Sequence, residues 1–98
     1  MSNHEQMETV RQQTIQVNSF TELDIRSIDC PIIAVYINPK DYPENVVARI
    51  FSLDKPTNII LIRKTLDEIR TDIINAYPWL VRFDRASNDV YCIAETWI

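Results

Sequence analysis

Apolar and β-branched residues concentrate in four runs after residue 30. Residues 32–38 (IIAVYIN), 45–53 (NVVARIFSL), 59–64 (IILIRK) and 90–98 (VYCIAETWI) are rich in Ile, Val, Tyr and Phe, the types that fit a pleated surface, and each predicts a strand. The first three are separated by polar, proline-bearing clusters, Asn38-Pro39-Lys40-Asp41-Tyr42-Pro43 and Asp54-Lys55-Pro56-Thr57-Asn58, which read as turns. Short links between successive strands favour antiparallel neighbours, so these three form a meander.

The period changes after residue 64. Thr65-Leu66-Asp67-Glu68 has the Thr-x-x-Glu form of a capping box, with two carboxylates at the positive end of a helix dipole. Leu66, Ile69, Ile73 and Ala76 or Tyr77 then recur at helical spacing, with Asp67, Glu68, Arg70, Thr71 and Asp72 filling a solvated face. Tyr77-Pro78 ends the helix, because proline disfavours helical geometry in the residue before it. Residues 79–83 are apolar but short, and 85–89 are polar and turn-like.

Residues 1–29 are thinner in apolar content and carry Glu5, Glu8, Glu22, Asp24 and Asp29 against Arg11 and Arg26. Up to about Thr9 nothing offsets the entropy of ordering the backbone, so a mobile tail is expected. Ile15 and Val17 alternate with polar neighbours, which suggests a short edge strand. Ser19-Phe20-Thr21-Glu22 has a second capping-box form and suggests a short helix lined on one face by Phe20, Leu23 and Ile28, while Ile25 and Ile28 also fit an extended segment. The chain therefore divides into an acidic, partly disordered segment, 1–29, and an α+β domain, 30–98, with a four-stranded, mostly antiparallel sheet in the order strand, strand, strand, helix, strand.

Alternation along these strands leaves neither face of the sheet polar. Ile33, Val35 and Ile37 oppose Ile32, Ala34 and Tyr36; Val46, Ala48 and Ile50 oppose Val47, Phe51 and Leu53, which share their side with Arg49. An antiparallel sheet with one wet face alternates hydrophobic and polar instead. One helix covers one face. The other calls for the segment 15–28, for a second copy of the chain, or for both, and a homodimer is expected.

Composition narrows the chemistry further. At 46% hydrophobic and 24% charged the chain is an ordinary globular one. It contains no glycine, which removes the dinucleotide fingerprint, the Walker A and kinase loops and the GxSxG elbow. The single histidine, His4, lies in the polar N-terminal stretch and reads as a solvated tail residue rather than a catalytic base. Cys30 and Cys92 are too few for a zinc site and read as small buried hydrophobes. A disulfide between them has no signal peptide to support it. No metal or cofactor is implied. The N-terminus MSNHEQMETV has no apolar core, and the longest apolar run, 32–37, falls far short of the ~18 residues a span needs. A cytoplasmic location without membrane contact is the expectation.

The candidate functional residues are charged or aromatic. Arg49, Arg63, Arg82 and Arg85 could converge on one side of the sheet, near Tyr42, Tyr77 and Trp79, as a surface for nucleic acid or phosphate. Against this, the net charge is −4, and phosphate binders carry a clear positive excess. The same arginines serve equally as protein contacts. Asp41 and Tyr42, on a proline-stiffened loop, offer a rigid anchor for a partner, and Tyr42 equally fits folding back on the sheet edge. Asp67, Glu68 and Asp72 read as dipole partners on a solvated face rather than as an acid–base pair.

Asp41-Tyr42-Pro43, Val47-Ala48-Arg49, Lys55-Pro56-Thr57, Thr65 to Arg70 and Glu95-Thr96-Trp97-Ile98 resemble a family of short uncharacterised bacterial proteins over residues 33–98. More loosely, three strands, a helix opening on Thr-x-x-Glu and a last strand are similar to the HicB-like antitoxin domain, from which this chain departs in lacking glycine. That resemblance implies a protein that neutralises a small toxin RNase; it transfers no functional residue. A non-enzymatic protein-interaction module, inhibitor-like and dimeric, is the leading expectation. A nucleic-acid-associated protein is the alternative.

Overall fold

The computed structural model describes residues 14–53, 55–85 and 93–98. Within them lie six strands: β1 Ile15–Val17, β2 Pro31–Ile37, β3 Val46–Ser52, β4 Lys55–Arg63, β5 Arg82–Asp84 and β6 Ile93–Trp97. They form one sheet in the order β1-β4-β3-β2-β6-β5. The single α-helix among the described residues, α1 Leu66–Ala76, joins β4 to β5. The fold is α+β, but the sheet is six-stranded and mixed, not the four-stranded, mostly antiparallel one expected. Two short edge strands account for the difference. β1 runs parallel to β4, with Ile15, Gln16 and Val17 opposite Ile59, Ile60 and Leu61. β5 pairs antiparallel with β6. Its sequence, Arg-Phe-Asp, is too short and too polar to show a period of two.

Local chemistry explains the boundaries. Thr65 Oγ1 accepts from the Glu68 amide at 3.2 Å, and Glu68 Oε1 accepts from the Thr65 amide at 3.1 Å, completing the capping box. The Ser19 side chain accepts from the Thr21 amide, yet it opens only a 3-10 turn, Phe20–Glu22, rather than a helix. Four non-glycine residues take left-handed geometry: Cys30, Asn38, Leu53 and Asn58, at φ 46°, 52°, 58° and 73°. A glycine-free chain must fill such positions with side chains, and asparagine tolerates them best. Asn58 sits at an irregularity in the β3–β4 pairing, so β4 already begins at Lys55, where the sequence predicted a turn. Cys30 is exposed, contrary to the buried reading. Cys92, His4 and the predicted tail lie outside the described residues.

The core lies between α1 and one face of the sheet. Ile33, Val35, Val46, Ala48, Ile50, Leu61 and Trp97 meet Ile69, Ile73 and Tyr77 there. Within this apolar layer stands one buried carboxylate, Glu95, 1% exposed. Arg70 approaches it through Nε at 3.1 Å and a terminal nitrogen at 2.7 Å, and the indole N–H of Trp97 donates at 2.8 Å. Arg70 is therefore not part of a solvated face: it bridges the helix to β6. Hydrogen bonding by Glu95 raises its pKa above the ordinary arginine value.

Phe20 and Ile25, both fully buried, join this same cluster, with Val17, Leu23 and Ile28 packed against it. The segment 15–28 thus lies on the helix side, not over the second face as expected. Asp72 fastens it, accepting from Ser19 Oγ at 2.9 Å and from the Phe20 amide at 2.8 Å. Tyr77 adds a second fastening, its hydroxyl lying 2.9 Å from the carbonyl oxygens of both Phe20 and Leu23. Burial, and then the carboxylates of Asp72 and Asp24, push the Tyr77 pKa up to about 12. The unfolded chain loses this proton near pH 10. Between the two values the native state holds a proton the unfolded state has released, so stability falls as pH rises. Equilibrium unfolding of Tyr77→Phe against the parent protein should show that decline, up to about 2–3 kcal/mol, flattened in the variant. Equal slopes would contradict this role for the hydroxyl.

Candidate functional site

The second face of the sheet is assembled from cross-strand rows. Ala34 lies opposite Arg49 and Thr96, and Arg49 opposite Ile60. In the neighbouring row Tyr36 lies opposite Val47, and Val47 opposite Ile62. Ile32 faces Phe51, and Phe83 faces Thr96 at the β5 edge. Among the described residues the face is mostly apolar, with Arg49, Thr96 and, toward the β1 edge, Gln16 as polar members, and Thr14 and Asn58 line a cavity beside Arg49 and Ile60. Among the described residues no helix lies on this face.

Its centre is nonetheless dry. Val47 is fully buried and Ile60 and Ala34 nearly so. Arg49 stands beside these residues, directly opposite Ala34 and Ile60. Its stem stands between Ala34 and Ile60, and its guanidinium carbon lies 5.7 Å from the centre of the Tyr36 ring, within reach of a cation–π attraction. Its terminal nitrogen pairs with Asp41. Arginine buries its stem on apolar surface while keeping its head polar, so this residue sets an aliphatic stem and a charge together in the middle of the face.

Asp41 is held where this pairing needs it. The 38–45 loop closes through Asn38 N–H to Asn45 O at 2.9 Å and turns on itself through Tyr42 N–H to Pro39 O at 3.0 Å. It is therefore Asp41 that ties the loop to the sheet; Tyr42 is half-buried.

The remaining arginines do not join Arg49. Arg63 is on the opposite face, opposite Val46, where it donates to Asn18 O and lies 3.6 Å from Asp72. Arg82 is also on the helix side, 3.9 Å from Asp84 and 4.0 Å from Glu95. Four strand spacings, roughly 19 Å, separate Arg63 from Arg82. Arg85 follows β5 and is exposed. The expected convergence on one side of the sheet is absent, because alternation and strand order send these residues to different faces and edges. Sequence reasoning missed Glu95 and Arg70. Their signals were a lone acid in an apolar strand and an arginine flanking the apolar stripe between Ile69 and Ile73.

Exposed apolar residues gather at one border of the second face. Val81, Phe83 and Ile98 are 56%, 52% and 54% exposed. Val81 and Ile98 exchange backbone hydrogen bonds of 2.9 Å in both directions, which extends the β5–β6 pairing by one residue pair. Among the described residues no group of three or more His, Cys, Asp or Glu is placed to hold a metal ion. Among the described residues no helix is long and apolar enough to cross a membrane. Comparisons with protein-family models, with curated proteins and with solved structures find no match.

If the stem of Arg49 packs on the face, Arg49→Met should retain stability within about 0.5 kcal/mol, while Arg49→Ala should lower it by about 1–2 kcal/mol. Urea unfolding measures both. Equal losses would place the contribution in the charge instead.

Proposed function

We propose that the protein is a non-enzymatic protein-interaction module that docks a folded partner on the second face of its sheet. The observation that carries this reading is Arg49, set between Tyr36 and Asp41 in the middle of an apolar face. Arginine and aromatic residues in desolvated surroundings are the side chains on which binding energy concentrates. Half-buried Ile32, Phe51 and Ile62 surround them as contact area. Dispersed arginines and a net charge of −4 offer phosphate backbone little attraction, which favours a protein as the ligand. The concrete form is a small inhibitor that neutralises a partner enzyme, in the manner implied by the likeness to HicB-like antitoxins.

Affinity capture from the host by the tagged full chain tests the reading. The parent chain should retain one protein in stoichiometric amount, and Tyr36→Ala or Arg49→Met, each confirmed folded, should release most of it. Retention unchanged by both substitutions would move the docking site elsewhere. The absence of any stoichiometric partner would overturn the reading.

A further inference from the structure

Among the described residues β5 is the last strand of the sheet on its side, and half of its backbone groups are used by β6. Val81 and Ile98 exchange both of their hydrogen bonds, and in an antiparallel ladder bonded and non-bonded pairs alternate. Arg82, opposite Trp97, and Asp84, opposite Glu95, therefore occupy non-bonded pairs. Their N–H and C=O groups point away from β6, toward the open edge. Phe83 lies between them with its own backbone turned inward and its side chain on the second face. All three residues are exposed.

This short sequence is complementary to itself. Placing two copies of β5 antiparallel about a twofold axis at Phe83 sets Arg82 opposite Asp84 of the other copy, twice, and Phe83 opposite Phe83. The parity is right: the outward backbone groups of Arg82 meet those of Asp84, giving two bonded pairs and four hydrogen bonds, while the two phenylalanines form the closer, non-bonded pair. Sliding the copies to the next registers that use the same outward groups puts Arg82 on Arg82 or Asp84 on Asp84. Charges on an edge strand ordinarily guard it against pairing. Here they guard it against its neighbouring registers and favour the centred one.

We propose that the chain forms a twofold homodimer through antiparallel β5–β5 pairing centred on Phe83. The second faces of the two sheets become one continuous surface, with Val81, Phe83 and Ile98 of both copies at its middle. The inference deepens the docking reading above by naming the self-contact that enlarges the docking face. It also stands without that reading, because it concerns the purified chain alone. A three-residue edge buries little area, so the dimer is weak and concentration-dependent.

Sedimentation equilibrium of the purified full chain, from micromolar to millimolar concentration, tests it. The parent protein should shift from monomer to dimer and no further. Asp84→Arg, at a solvent-exposed carboxylate, sets arginine against arginine and should weaken association about tenfold or more. Arg82→Asp should do the same, and an equimolar mixture of the two variants should associate again, since each supplies the charges the other lacks. That recovery also shows that both variants fold. A parent chain that stays monomeric throughout, an Asp84→Arg variant that dimerises like the parent, or a mixture that fails to recover would each overturn the proposal. None of these outcomes bears on capture of a different protein by the second face.

Discussion

Glu95 is the one charged residue among those described that the fold takes wholly out of water. Removing a carboxylate from solvent costs several kcal/mol unless hydrogen bonds and an opposite charge replace the water. Arg70 and the Trp97 indole supply that replacement. The requirement is geometric as well as energetic. Arg70 is on α1 and Glu95 is on β6, so satisfying the carboxylate fixes where the helix crosses the sheet. Ile69 and Ile73 then fall onto Ile33, Val35 and Ala48 in the same buried cluster. The remainder of the layer is ordinary hydrophobic burial, which is not directional and would not by itself choose this placement.

With the helix fixed on one side, the N-terminal segment follows it. Asp72 and Tyr77 project from α1 and its C-cap toward the backbone of residues 19–23 and draw Phe20 and Ile25 into the same layer. Every covering element among the described residues is thus spent on one face. On the other, Arg49 stands opposite Ala34 and Ile60 and keeps its head paired to Asp41. That face carries aromatic, aliphatic and guanidinium groups side by side. At its border lie the exposed apolar residues Val81, Phe83 and Ile98.

The central strands and α1 were legible in the sequence because each carries several periods of its pattern together with a capping or turn signal. Thr65 and Glu68 marked the helix start to the residue, and the apolar runs located β2 and β3 within a residue. What escaped was short or depended on tertiary partners. β5 has three residues and one apolar side chain. β1 was suggested by the alternation of Ile15 and Val17, but its parallel pairing with β4 follows from the clamp on residues 19–23, which no local pattern encodes. Arg70 and Asp72 looked like members of a polar helix face, since sequence spacing gives their direction but not the carboxylate or amides waiting there. Whether the arginines share a side was not legible for the same reason: strand order and pleat, not composition, decide which face each one takes.

The pairing of Arg70 with Glu95 is the point at which this account is most exposed, and a double-mutant cycle on it is the most direct measurement. Arg70→Ala and Glu95→Gln should each destabilise the protein by about 2–4 kcal/mol in urea unfolding. Together they should cost less than their sum, with a coupling energy of at least about 1 kcal/mol. Effects that add to within about 0.5 kcal/mol would show that the helix is held by apolar packing alone and would contradict the account.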